Sequence, residues 1–271
     1  MRLIKISAFI FGCITAVNVF AGDEVITIAS SSTPHAVILK QVKPILKKQG
    51  IDLQIKEFDD YIQPNLLVEQ KQMDANFIQH RPYLAQFNKE RGTKLVELVA
   101  VHIEPMGVYA SSNPKLADFI KTKNIAKLPK ELIVGVPNDT TNEGRALQLL
   151  EKNGLIKIKS KVAYPTKKDI IENQYKLTIK ELDPAMLPRM LKASQLDLAV
   201  INSNFAIQAK LNPLKDAIFI EDAKSPYVNI IVVRADDLNT SKMKKLAAAI
   251  HTAAIKDYIL KTYNNSIVPV N

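Results

Sequence analysis

Hydrophobic positions along this chain switch repeatedly between a period of two and a period near 3.6. Val25-Ile26-Thr27-Ile28-Ala29 is a short β-rich run. Beyond Pro34, apolar residues recur at Ile38, Leu39, Val42, Ile45 and Leu46, the spacing of one helix face. Gly50 marks the end of that helix, and Pro44 inside it is expected to kink or split it. Residues 52–58 alternate as a strand. A short helix over 64–70, a strand over 74–78 and a helix over 82–92 follow, and 95–109 reads as one long, mostly extended apolar run. Strands and helices in this alternation imply a mainly parallel sheet covered by helices.

Residues 110–130 are polar, rich in lysine and carry two prolines, which suggests a crossing between lobes. A second series follows, with strands expected at 132–137, 177–182, 196–201, 217–221 and 228–233. Helices are expected at 141–154, 185–193 and 205–211, and the repeat of Met243, Leu246, Ala247, Ile250, Ala254 and Tyr258 predicts one last helix over 242–263. The fold class is therefore α/β in two lobes, each a mainly parallel sheet covered by helices, with a cleft between them. Residues 22–109 and 227–271 are assigned to the first lobe and 110–226 to the second. Clefts of this kind bind small molecules where strand ends meet.

The first 21 residues change where this protein is expected to work. Arg2 and Lys5 make a positive start, 6–20 is mostly apolar, and Val19-Phe20-Ala21 is a small-x-small cleavage pattern. Residues 1–21 read as a secretory signal peptide. A lipoprotein signal ending at Cys13 is the competing reading; bulky Phe11 and the apolar run continuing to Phe20 weigh against it. No later apolar stretch approaches the roughly 18 residues that span a bilayer. The expected location is periplasmic or otherwise extracytoplasmic.

The chain is basic, with 37 Lys+Arg against 27 Asp+Glu. Its lysines are scattered among apolar residues, and no aromatic-rich strand accompanies them, so nucleic acid is not an expected partner. A single cysteine excludes a disulfide framework and a multi-cysteine zinc site. His35, His102 and His251 have no metal-site spacing to His80, and no metal or cofactor is expected. The chain has no G-x-S-x-G elbow, P-loop or dinucleotide fingerprint, and no carboxylate pairs by spacing with a base or nucleophile. An enzyme is not expected, and no catalytic residue is assigned.

Five segments carry candidate binding chemistry. In Pro137-Asn138-Asp139-Thr140-Thr141-Asn142-Glu143-Gly144-Arg145, Thr140 and Glu143 have capping-box spacing. A helix N-terminus suits a carboxylate, and Arg145 could add a bidentate contact; a capped helix with a solvated arginine satisfies the same spacing. His80, in Gln79-His80-Arg81-Pro82-Tyr83, sits at a strand end as either a ligand contact or a hydrogen-bonded structural group. Asn202 and Asn229 lie at strand edges, where an amide either orients a ligand or makes an ordinary turn. Tyr61 fits a pocket or the core.

Taken in order, these segments have a family likeness. Thr33-Pro34-His35-Ala36, Asp60-Tyr61-Ile62-Gln63-Pro64-Asn65, Asp74-Ala75-Asn76, Gln79-His80-Arg81-Pro82-Tyr83 and Glu104-Pro105-Met106-Gly107 come first. The 137–145 segment, Leu187-Pro188-Arg189, Ala199-Val200-Ile201-Asn202 and Ser225-Pro226-Tyr227-Val228-Asn229 follow. The sequence resembles the NlpA family of ABC-importer substrate-binding proteins, in its methionine-receptor branch, over nearly the whole chain after residue 21. The resemblance implies a periplasmic-binding-protein fold, closing on methionine and delivering it to a permease and ATPase, as a monomer and without a cofactor. It implies that Arg145, helped by Asn142, pairs with the ligand carboxylate. Asn202 and Asn229 would hold the amino group and other polar atoms, and Tyr61, His80 and Tyr83 would line the side-chain pocket. Ile78 stands where the family usually has an aromatic residue. That departure keeps a receptor for another small amino acid or a methionine-containing dipeptide as the alternative; a surface interaction protein on the same fold is another. Thr140 stands where the family often has proline, and relatives are mostly lipoproteins.

Overall fold

Two sheets organise the chain in a computed structural model that describes residues 24–222 and 225–270. The processing positions Cys13 and Ala21 lie outside the described residues. Strands β1 (Glu24–Ser31), β2 (Ile51–Phe58), β3 (Ala75–His80) and β4 (Leu95–Ile103) open the first sheet. The chain then crosses and lays down β5 (Gly107–Ala110), β6 (Ile133–Pro137), a small hairpin of β7 (Lys157–Ile158) and β8 (Ile170–Glu172), then β9 (Thr178–Leu182), β10 (Leu198–Ile201) and β11 (Phe219–Ile220). It returns to the first sheet with β12 (Val228–Arg234) and β13 (Val268–Pro269). The strand orders are β13-β4-β12-β3-β1-β2 and β11-β5-β10-β6-β9.

The two-sheet α/β architecture is the expected one, but each sheet is mixed rather than mainly parallel. β2, β1 and β3 run parallel, as do β9, β6 and β10. β12 is antiparallel to both β3 and β4, and β5 is antiparallel to both β10 and β11. The reason is the crossing itself. Resident strands end at the cleft, whereas β5 and β12 arrive from the other lobe and therefore begin there.

Each sheet is packed on both faces, and alternate residues of one strand divide between the two layers. Ile231 and Val233 of β12 join a core with α1 (Val37–Lys47), while Ile230 and Val232 face Val68 of α2 (Gln63–Glu69) and Leu84 of α3 (Arg81–Arg91). In the second sheet Val134, Val136, Leu198 and Val200 pack with Phe119 of α4 (Ala117–Thr122) and Leu147 and Leu150 of α5 (Thr140–Lys152). Ala199 and Ile201 pack on the other side with Leu187 and Leu191 of α6 (Leu187–Lys192) and Phe205 of α7 (Ser203–Gln208). Fully burying a side chain such as Leu147 is worth about 1.5–3 kcal/mol. A short α8 (Pro213–Asp216) follows, then α9 (Ser241–Ile250) and α10 (Ala253–Tyr263) cover the first sheet together with α1.

Four local expectations are corrected. The 95–109 run is two strands in different sheets, separated by Glu104-Pro105-Met106, so the chain enters the second sheet at Gly107 rather than at 110. The polar 110–130 stretch is not a bare crossing: Leu116 and Phe119 bury into the second lobe. Pro44 does not split α1; it lies near the helix end on the exposed side. The last helix breaks at His251-Thr252, where the His251 Nε2–H donates to the Ala100 carbonyl at 2.6 Å and ties the break to β4.

Candidate ligand site between the lobes

The carboxyl ends of β1, β3, β4, β6 and β10 converge on one slot, the position where open α/β sheets place ligands. Just past those strand ends stand His35, Glu104, Asn142 and Asn202, with His80 at the last position of β3; β12 begins at the slot and adds Asn229. The slot holds about 340 Å³ of unfilled space, its mouth included.

His80 has two jobs. Its extended backbone makes it the cap of α3, and its Nδ1 accepts from the Tyr83 N–H at 3.1 Å. The proton therefore sits on Nε2, which donates to Asn142 Oδ1 at 3.1 Å across the cleft. Burial, then the positive charge of Arg145, lowers the His80 pKa to about 3, so the ring is neutral.

Asn142 is held from three sides. Its Oδ1 also accepts from Asn202 Nδ2 at 3.0 Å, and its Nδ2 donates to both oxygens of Asp139. With both ends of the amide engaged, Asn142 orients its neighbours. Asp139, not Thr140, caps α5, accepting from the Asn142 N–H at 3.0 Å. The expected Thr140/Glu143 capping box does not form. Thr140 donates instead to Glu90 of the other lobe at 2.9 Å, and Glu143 accepts the Lys167 N–H at 2.9 Å. The helix N-terminus thus already has a carboxylate of its own.

Arg145 is 3% exposed and lies over the Tyr227 ring, 4.1 Å from its centroid. Its Nε and Nη2 donate to Glu221, and Nη2 also donates to the Glu104 carbonyl at 2.7 Å. Nη1 has no hydrogen-bond partner among the described residues, and Arg145 lines the slot.

The far end of the slot is aromatic. Tyr61 packs against Tyr83 and Phe205, with ring centroids 5.8 and 5.3 Å apart, and Ile78 lines the slot as well. Tyr61 OH donates to Asn204 Oδ1 at 2.6 Å, a further tie between the lobes. Two polar atoms that are buried here lack partners, Asn202 Oδ1 and Asn204 Nδ2. Beneath them His35 accepts from or donates to Ser31 Oγ at 2.6 Å through Nδ1, and its Nε2 meets Asn229 Oδ1 at 3.0 Å.

Residues 26–271 match the family model described as NlpA lipoprotein. The chain belongs to the NlpA lipoprotein family. A relative in Bacillus subtilis, the methionine-binding lipoprotein MetQ, is 40% identical over 93% of this chain and 90% of its own length. Among solved structures, a nutrient-binding protein from Burkholderia cenocepacia bound to methionine is 39% identical with a TM-score of 0.84, covering 91% of this chain and all of its own. An ABC-transporter periplasmic substrate-binding protein from Coxiella burnetii is 35% identical with a TM-score of 0.82, covering 90% of this chain and all of its own.

All eight residues singled out in this NlpA-family sequence line the slot: Tyr61, Ile78, His80 and Tyr83 from the first lobe, Asn142, Arg145 and Asn202 from the second, and Asn229 at the start of β12. Sequence reasoning missed His35, Gln79, Glu104, Ser203 and Asn204 on the lining and Tyr227 beneath Arg145. His35 and Glu104 each follow a strand within motifs already quoted, so the strand-end rule could have found them. Spacing to His80 gave no hint that the NlpA fold brings His35, His102 and Glu104 together, their ligating-type atoms within 4.8 Å of one another.

Proposed function

We propose that this NlpA-family chain is an extracytoplasmic receptor that binds methionine between its lobes and delivers it to the permease and ATPase of an ABC importer. The observation that supports it most is the distribution of chemistry along one slot. A guanidinium whose Nη1 has no partner among the described residues stands at one end, amide atoms of Asn202 and Asn204 likewise without partners line it, and Tyr61 and Tyr83 form the far wall, with Phe205 packed against Tyr61. A desolvated carboxylate is best met by an arginine, and a thioether packs well beside aromatic edges.

The eight lining residues take these roles. Arg145 anchors the carboxylate through Nη1, and Asn202 and Asn229 face the polar backbone of the ligand. Tyr61, Ile78, His80 and Tyr83 enclose its side chain, while Asn142 acts by holding His80 and Asn202 in place. No chemical step is involved, and closure of the lobes is the working motion. The His80–Asn142 and Tyr61–Asn204 bonds join the lobes in the closed form. The relatives' names, methionine-binding lipoprotein and ABC-transporter substrate-binding protein, fit this reading. No helix among the described residues is long and apolar enough to cross a membrane.

Native mass spectrometry of protein purified without added ligand tests the assignment. The expected result is a complex heavier by one methionine, released intact on denaturation. A different released amino acid or dipeptide would contradict the methionine assignment, and turnover of a bound compound would contradict the receptor reading.

A further inference from the structure

Glu104 is 5% exposed and lines the slot. Its Oε1 accepts from His102 Nε2 at 2.7 Å and lies 3.4 Å from His35 Nε2. A carboxylate buried this deeply requires a cationic or strongly donating partner. Among the described residues the Glu104 carboxylate is met by two histidine rings and by no lysine or arginine side chain. Burial holds His35 neutral, with its pKa lowered to about 4. Arg145, the nearby guanidinium, is gripped by Glu221 through Nε and Nη2 and reaches only the backbone carbonyl of Glu104.

That last bond also fixes relative position. The guanidinium touches the main chain of the residue whose side chain carries the negative charge, so an anion site and a cation site stand side by side. An amino acid carries an α-carboxylate and an α-ammonium on one carbon, so it presents both charges side by side as well. Asn202 Oδ1, a buried acceptor that no protein donor reaches, lines the same slot.

We propose that Glu104 is the residue by which the slot selects a ligand's α-ammonium, with Asn202 Oδ1 as the second acceptor. The inference rests on reading the slot as an amino-acid site, and it names a group that the family likeness had left without a role. His102 and His35 hold the Glu104 carboxylate in place, and the ligand supplies the missing positive charge.

The test compares L-methionine with its desamino analogue, 4-(methylthio)butanoic acid, by calorimetry on the ligand-stripped chain and on Glu104→Gln. The wild-type chain is expected to favour methionine by about 100-fold or more, the scale of losing a charge-assisted partner in a buried site. In Glu104→Gln that ratio is expected to fall below about 10, with methionine weakened and the desamino analogue bound as well as before or better. A purely structural role would weaken both ligands equally. That result, or an unchanged ratio, overturns the proposal. Should Glu104→Gln not fold, Asn202→Ala is expected to narrow the ratio as well, and an unchanged ratio there overturns it. Stoichiometric divalent metal in the purified chain, lost in Glu104→Gln, would also overturn it. If wild-type protein binds no methionine, the methionine reading falls. The same ratio for whichever amino acid or glycyl-methionine does bind then decides on Glu104, and binding of no α-amine compound overturns both.

Discussion

Arg145 grips Glu221 with two parallel hydrogen bonds, Nε to Oε1 at 2.8 Å and Nη2 to Oε2 at 2.5 Å, before any ligand is considered. The side chain expected to be the ligand's anchor is therefore also part of the second lobe's own structure. It ties the start of α5 to the segment after β11 and stacks on Tyr227. One edge of the guanidinium serves the fold, and Nη1 has no partner among the described residues.

Arg145→Ala should accordingly hurt twice. Removing one member of a buried ion pair costs about 3–5 kcal/mol, and urea unfolding should show a loss of that order. Methionine binding should fall by about 100-fold or more, because the carboxylate loses its charge-assisted partner. Arg145→Lys keeps the charge but not the planar fork, so it should recover stability better than affinity. Wild-type affinity in folded Arg145→Lys would contradict the anchoring role.

Tyr61 OH donates to Asn204 across the cleft. Tyr61→Phe removes that donor and little else. The expected outcome is a rise of about 5- to 10-fold in the ligand dissociation rate, from the loss of one hydrogen bond worth about 1 kcal/mol. Stopped-flow release of bound methionine measures it; an unchanged rate would argue against the bond as a closure tie.

His80 and His35 give a pH dependence with a definite sign. Their folded pKa values, about 3 and about 4, lie below the usual 6.5, chiefly through burial. Below pH 6.5 the unfolded chain takes up protons that the folded chain refuses. The stability these rings contribute is thus complete above pH 6.5 and is lost as pH falls toward 4, by up to about 1.4 kcal/mol per pH unit for each ring. Unfolding of wild type and His80→Gln at pH 7, 6, 5 and 4.5 isolates one ring. The wild-type slope should be the steeper one, and equal slopes would contradict a neutral buried His80.

Glu143 works in the opposite direction. Burial, together with a hydrogen bond to the Glu181 carboxylate, raises its pKa to about 7. Its protonated form is the one the fold prefers, so this contribution is present below about pH 4.5 and is lost as pH rises through 7. Glu143→Gln supplies a permanent N–H donor and keeps an oxygen for the Lys167 N–H. The variant's stability relative to wild type should improve between pH 5 and pH 8; no change across that range would show that Glu143 is ionised throughout.

Much of this was legible in the sequence, and the exceptions have physical causes. Helices and strands with strong apolar periods, such as α1 and β12, were found because burial on a defined face dictates their pattern. The division of 95–109 into β4 and β5 was not, since both strands are apolar and only Pro105 marks the passage between sheets. Periodicity cannot show strand direction either, so the antiparallel β5 and β12 were missed. At the site, Arg145, His80 and the asparagines stood out by residue type at strand ends and helix starts. Glu104, His102 and His35 did not, because their partnership joins β4 to the turn after β1, about 70 residues apart in sequence, and only the sheet order brings them together. The Thr140/Glu143 capping box failed because Asp139, one residue earlier, offers the better acceptor.

The most direct measurement is a calorimetric titration of the ligand-stripped protein with L-methionine at neutral pH. The account expects saturable one-to-one binding with Kd of about 1 μM or tighter, near −8 kcal/mol. Folded, ligand-free protein that gives no binding heat with methionine up to about 1 mM, a level equivalent to only about −4 kcal/mol, would contradict it.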